Sequence, residues 1–474
     1  MTGIQTGTTA TGSVLRNEKA STILKEVPMK TNAIRLSDHF TYRRLFHFTL
    51  PPVIMMVFTS IYGVVDGLFV SNYAGKTAFA AINLIMPYLM VMGSLGFMIG
   101  TGGSALVSMT MGQGRKQRAN QLFSMMILFT VITGALTSIL GNLAMEKMAL
   151  FLGATEEMMH DCLVYGWIVN GFNLAFMLQN LFQSFFVTAE KPRLGLYVTI
   201  AAGLTNMILD ALLVGVFRMG VAGAAWATGF SQVVGGVLPL FYFARTNSSR
   251  LRLEPSKLEL SPILKACGNG SSELMSNISS SIVSMLYNFQ LIRMLGEDGV
   301  SAYGVLMYVS FIFVAIDIGY SVGSAPIVGY HYGAGNTDEL KNMLRKSSVI
   351  MGVTGVLMTV AAFLLADPVS RIFVGYDAGL YALTVHAFRI FCLGFLLSGF
   401  DIYASSFFTA LNNGKISAAI SFLRTLVFQG ACVLLLPGLL GADGIWWAVT
   451  ASNVFAFIIS VLFLIRKRET YHYF

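Results

Sequence analysis

Apolar residues in this chain do not alternate with polar ones. They run on for about 20 positions or more, long enough to cross the hydrocarbon core of a bilayer as a helix. Short clusters of Gly, Pro and charged residues cut the runs apart. Twelve runs fall near residues 45–70, 79–107, 119–143, 162–187, 195–216, 222–244, 264–293, 299–327, 346–366, 382–410, 416–437 and 443–466. The pattern predicts an all-α membrane protein of twelve transmembrane helices. Residues 1–40 are polar and lack the apolar core of a signal peptide, which predicts a disordered cytoplasmic N-terminal tail. The polar stretch 247–262 predicts a cytoplasmic linker, and residues 467–474 a short cytoplasmic C-terminal tail.

The runs repeat. Gly75 recurs 221 positions later as Gly296, Met111-Gly-Gln-Gly114 as Tyr332-Gly-Ala-Gly335, and Val221-Ala-Gly-Ala-Ala-Trp226 as Ala442-Asp-Gly-Ile-Trp-Trp447. One offset at such distant landmarks signals a duplicated unit. Six helices return the chain to its starting side, so both copies enter the membrane in the same sense. Parallel repeats related by an axis along the membrane normal should form two pseudo-symmetric six-helix bundles around a central cavity. The N-lobe covers residues 41–246 (helices 1–6) and the C-lobe residues 263–466 (helices 7–12).

Composition agrees. The chain is 55% hydrophobic and 11% charged, against roughly 25% charged in soluble domains. Its net charge of +8 gathers in alternate connections: Arg115, Lys116 and Arg118; Lys191 and Arg193; Arg245, Arg250, Arg252 and Lys257; Lys341, Arg345 and Lys346; Lys415; and Arg466-Lys-Arg468. The connections between them hold acids such as Glu156, Glu157, Asp161, Asp367 and Asp377. By the positive-inside rule both termini are cytoplasmic and the chain sits in a plasma membrane. The basic excess faces anionic lipid heads and calls for no nucleic acid. The four cysteines are scattered through apolar runs with no CxxC pair, which predicts inert thiols and no zinc site.

Four polar residues of the first copy stand out because the offset sets apolar or aromatic residues opposite most of them. Asp66, Asn206, Asp210 and Thr228 face Tyr287, Val427, Ala431 and Val449. A carboxylate at a helix centre costs about 2.5–3.5 kcal/mol on insertion scales, so it serves function or a partner. Counting nine residues from the outward turns at Gly75 and near Gly220 sets Asp66, Asp210 and Thr228 at one depth, roughly 13 Å in. Asn206 lies one turn from Asp210 on the same face, and Gln183 and Asn180 on helix 4 come to a similar depth. Carboxylates, amides and a hydroxyl without imidazole or thiolate suit a proton or a hard monovalent cation.

These residues carry a resemblance. Pro51, Ile61-Tyr-Gly-Val-Val-Asp66, Asn206-Met-Ile-Leu-Asp210 and Val221-Ala-Gly-Ala-Ala-Trp-Ala-Thr228 resemble the multidrug and toxic compound extrusion family of cation-coupled antiporters, in its DinF-like branch. In the second half, Leu286-Tyr-Asn-Phe-Gln290, Ala302-Tyr-Gly304 and Ala325-Pro-Ile-Val-Gly-Tyr330 are similar to multidrug members. The resemblance implies that Asp66, Asn206, Asp210 and Thr228 form a cation site, with Gln183 and Asn180 beside it, and that Pro51 marks a conformational hinge. It assigns Asp401, Tyr287 and Asn288 to the substrate cavity, with Asp401 alternatively a structural partner of Arg389 or Arg424. Where some members carry a carboxylate in mid-helix 7, this chain reads Ser279-Ser-Ser-Ile-Val-Ser284.

Other motifs fail. Gly75-Lys76-Thr77 lacks the phosphate-loop glycine, position 70 being Val70, and no HExxH occurs. The expectation is a bacterial secondary antiporter, not an enzyme, needing no cofactor and no ATP. It would act as a monomer, exchanging amphipathic, often cationic small molecules for inward H+ or Na+. The alternative is a lipid-linked oligosaccharide flippase of related architecture, whose anionic cargo would want a basic cavity.

Overall fold

The computed structural model of the chain describes residues 2–3 and 34–474. Among these, every regular element is helical. The N-lobe comprises α1 (Tyr42–Ala74), α2 (Thr77–Gly112), α3 (Lys116–Phe151), α4 in two pieces (Glu156–Gly171 and Asn173–Thr188) bent by 53°, α5 (Pro192–Val216) and α6 (Gly220–Ala244). The C-lobe begins with the helical run Leu260–Gly333, which breaks at Gly296 (φ 65°, ψ −150°) into α7 (260–295) and α8 (297–333). There follow α9 (Thr337–Val374), α10 (Ala378–Ala410), α11 (Gly414–Leu440) and α12 (Asp443–Tyr471). The twelve helices that the apolar pattern predicts are all present.

The duplication is written into the backbone. Gly75, Gly114 and Gly220 have φ of 96°, 76° and 59°; their counterparts 221 residues on, Gly296, Gly335 and Gly441, have 65°, 69° and 62°. Only glycine enters this region without steric cost. The same three turns are therefore built twice. Each lobe has its own apolar interior: Ala81, Ile85, Met145, Tyr165 and Ala224 in the first, and Leu291, Tyr303, Leu306, Phe388 and Trp446 in the second.

The lobes meet near the face where α1 begins and α12 ends, here called the terminal face, and they meet backbone to backbone. A Cβ on Gly102 of α2 would strike the Ala266 carbonyl of α7, and one on Gly112 would strike that of Tyr330 on α8. Gly333 abuts Met109, and Gly323 abuts Thr49 of α1. Arg118 and Glu259 add a bidentate pair at 2.7 and 2.6 Å. Farther in, Ser60 of α1 donates to the Phe311 carbonyl at 3.3 Å. Among the described residues no interlobe hydrogen bond lies beyond that point. The lobes are thus fastened at the terminal face, and the described residues show no polar fastening at the opposite one.

Two expected boundaries shift. The tail expected over residues 1–40 falls, for residues 4–33, outside the described residues, but its last part is packed. Leu36 and Phe40 are buried; the Leu36 N–H donates to Glu190 of the N-lobe at 2.8 Å, and the Phe40 N–H to Glu339 of the C-lobe at 2.9 Å. This segment straps the lobes together. At the other end, α12 runs through most of the expected tail 467–474, and Tyr473 is buried with its hydroxyl on the Leu464 carbonyl. The linker packs as well, since Asn120 of α3 both accepts from Arg252 N–H and donates to Glu254.

Candidate functional site

α5 is a regular helix up to Leu209 and widens at Asp210 into π-turns over Asp210–Val216; such turns mark functional positions in many helices. Gly203 lets α1 approach, so that Phe58 and Tyr62 lie directly on the α5 backbone. That contact turns Asp66 of α1 towards Asp210 and Asn206 of α5. Asp210 and Asn206 are buried and Asp66 half-buried. Asp66 Oδ1, both Asp210 oxygens and Asn206 Oδ1 are shielded from solvent and meet no hydrogen-bond partner. Thr228 of α6 is half-buried, its hydroxyl also unpartnered, and it faces Tyr165 of α4. Two acidic side chains held against one another in an apolar lobe cannot both stay charged without a counterion. They take up a proton or hold a cation.

Gln183 and Asn180 are buried on the second piece of α4, and among the described residues no hydrogen bond joins either to this cluster. The second piece of α4 approaches through Gln179, which faces Tyr62, itself beside Asp66. A depth count fixes position along α4 but not the side a residue faces; farther along, α4 bends at Phe172, which is wedged against Trp226 and Phe230. Tyr62 and Tyr165 are likewise not among the residues the sequence pattern singles out. Tyr62, one turn before Asp66, carried a signal in its spacing; Tyr165 carried none. Pro51 and its neighbour Pro52 lie inside a continuous α1, and Gly319 of α8 rests on Pro52 and Val53.

In the C-lobe two cavity expectations are corrected. Tyr287 is fully buried, stacked on Tyr303 at 4.7 Å within the lobe's own core. Asp401 is fully buried too, accepting from Ser460 of α12 at 3.4 Å. Both sit inside the C-lobe as their counterparts 221 residues earlier, Asp66 for Tyr287 and Asn180 for Asp401, sit inside the N-lobe: the repeat places equivalent positions at equivalent depths. Asn288 is exposed on α7 in line with Ser281 and Ser284. A polar stripe on a membrane helix faces a water-filled cleft and not lipid. A separate 110 Å³ chamber between the lobes is lined by hydroxyls including Thr101, Ser184, Ser276, Ser405 and Ser406, together with Glu273 and Arg424. Behind it lies Asp317 of α8, buried and accepting from Ser398 at 2.9 Å. Asp317 meets the same criterion, a lone acid in an apolar run, that marks Asp66.

The four cysteines are free, and the described residues contain no cluster of metal-binding side chains.

A family model described as MatE matches residues 51–212 and again residues 274–432. The multidrug export protein MepA of Staphylococcus saprophyticus subsp. saprophyticus is 22% identical over 435 residues, covering 90% of this chain and 95% of its own. MepA of Staphylococcus haemolyticus is 22% identical over 441 residues with the same coverage. A solved structure described as the outward-facing conformation of a multidrug resistance MATE family transporter of the MOP superfamily superposes with a TM-score of 0.87. It is 20% identical and covers 93% of this chain and 99% of its own. One family model fitting each lobe in turn, at the spacing of the glycine turns, accounts for both the duplication and the fold: the chain belongs to the multidrug and toxic compound extrusion (MatE) family of membrane transporters.

Proposed function

We propose that the chain is a secondary antiporter that exports amphipathic, often cationic organic compounds in exchange for inward H+ or Na+. The observation that carries this reading is the apposition of unpartnered acidic and amide oxygens on Asp66, Asn206 and Asp210, at positions whose C-lobe counterparts are Tyr287, Val427 and Ala431. Such a set is costly unless it is filled in part of a cycle. The names of the staphylococcal relatives support export of multiple drugs. With the basic connections on the cytoplasmic side, the fastened terminal face is cytoplasmic, and in this reading the unfastened side is the one that opens outward. Coupling then follows if ion and substrate favour opposite states, since a ligand with equal affinity for both shifts nothing. Asp66, Asn206, Asp210 and Thr228 hold the ion, Pro51 is the hinge of α1, and Asn288 lines the substrate path. The flippase alternative wants a basic cavity, whereas the interlobe chamber sets Glu273 beside Arg424.

The test is flux in reconstituted vesicles of the full chain under imposed pH or Na+ gradients. Gradient-driven movement of a lipophilic cation supports the reading. Movement indifferent to every ion gradient overturns it.

A further inference from the structure

α9 and α12 both pack on α10, and between them a groove of 530 Å³ remains, with α10 as its floor. Ala404 and Ser460 are buried at its base, and Phe400, Phe457 and Val461 line it. At its end towards the terminal face stand Lys341 and Arg345, one helical turn apart on α9. Both are exposed, and neither forms an ion pair among the described residues. The nearby buried acid, Glu339, is already engaged by Phe40, His39 and Asn342. Tyr473, folded back from the end of α12, borders the same end.

We propose that this groove binds one anionic phospholipid of the leaflet at the terminal face, its phosphate between Lys341 and Arg345 and an acyl chain along Phe400, Ala404, Phe457 and Val461. The chemistry selects the occupant. A hydrocarbon-lined slot in a membrane helix bundle takes an acyl chain at no desolvation cost, and long basic side chains reach to the interface with their stems along apolar surface. Two unpaired cations repel a cationic amphiphile, so the slot is no entry for the exported compounds. They favour a headgroup with net negative charge, as basic pockets between membrane helices on the cytoplasmic side do. Ser460 gives the site an inward connection, because the hydroxyl at the base of the groove is the one that donates to Asp401. A chain seated there presses α12 onto α10 and keeps that hydrogen bond made.

The experiment uses the purified full chain in neutral detergent, titrated with phosphatidylglycerol or with phosphatidylcholine of the same acyl chains. Native mass spectrometry counts retained lipid, and thermal unfolding reads the shift in Tm. The expected result is one retained phosphatidylglycerol, preferred about tenfold over phosphatidylcholine, with a rise in Tm. Lys341→Gln/Arg345→Gln, both at exposed positions, should erase the preference. Val461→Trp should fill the slot and lower retention of either lipid, and Asp66→Asn, in the other lobe, should bind as the wild type does. Equal binding of the two lipids by the wild type overturns the proposal, as does an unchanged preference in the double variant. A Tm rise reproduced by inorganic phosphate alone would mean an anion site without lipid. Displacement by tetraphenylphosphonium that strengthens in the double variant would mean a substrate portal. Either result defeats the proposal.

Discussion

The carboxylates of Asp66 on α1 and Asp210 on α5 face one another inside the N-lobe, and three of their four oxygens have no hydrogen-bond partner. In the C-lobe the equivalent positions are Tyr287 and Ala431, which bring no charge. Asp66→Asn and Asp210→Asn should each reduce gradient-driven efflux to the level of protein-free vesicles while the protein still folds and inserts. Tyr287→Phe and Ala431→Ser should transport as the wild type does. Flux and thermal unfolding measured on the same preparations separate the two effects.

Proton coupling is the expected outcome for the ion. An imposed pH gradient should drive transport in Na+-free buffer, and adding substrate should shift the lumenal pH, read with an entrapped dye. If transport instead requires Na+ at every pH and ignores protonophores, Asp66, Asn206, Asp210 and Thr228 are Na+ ligands.

The glycine contacts predict a conformational bias. A Cβ at Gly102 would collide with the Ala266 carbonyl and come within 2.6 Å of the Gly270 nitrogen. Gly102→Ala should cost about 1–3 kcal/mol in the state closed at the terminal face, as overpacking does. A cysteine introduced at the exposed Asn288 should then be labelled more slowly from the opposite side.

The strap makes a separate prediction. Glu339 accepts from Phe40 N–H at 2.9 Å and from Asn342 at 2.7 Å, and it pairs with His39. Glu339→Ala leaves buried donors unmade, a cost of about 1–3 kcal/mol. Thermal unfolding should show the loss, and limited trypsin should cut faster at Arg43 or Arg44. Glu339→Gln should recover part of both.

Arg118 holds the Glu259 carboxyl below its ordinary range. The contribution of this interlobe pair is therefore fully present above the ordinary carboxylate value and fades as pH falls through the lowered one. Wild type and Glu259→Gln should differ in Tm at neutral pH and converge in acid, with added salt narrowing the gap at neutral pH.

The twelve helices and the repeat were legible because they follow from run length and a constant offset, which tertiary contacts cannot move. That Asp66 and Asp210 come together was legible for a related reason: α1 and α5 each stay helical from the turn used for counting to the residue counted, and each carries a π-turn in that stretch, so the two counts shift alike. For Gln183 the count gives depth alone, and which face of α4 turns to Asp66 depends on packing against neighbouring helices; the bend at Phe172, made by packing against Trp226 and Phe230, is announced by no proline. Assigning Tyr287 and Asp401 to the cavity failed because a resemblance fixes position along a helix better than the side a residue faces. Leu36 to Phe40 read as tail because their partners, Glu190 and Glu339, lie 154 and 299 residues away in sequence.

The meeting of Gly102, Gly112, Gly323 and Gly333 with opposing backbone also bears on rate. Backbone meets backbone at those points, and Asn412, which reaches across between them to the Ala105 carbonyl at 3.3 Å, is short, so parting the lobes there disturbs few rotamers and rejoining them needs few to be found again. In the exchange proposed above, the energetic difference between the two states would then be carried by the ion, the substrate and a few polar fastenings such as Arg118–Glu259. A small change in any one of these is enough to tip the exchange.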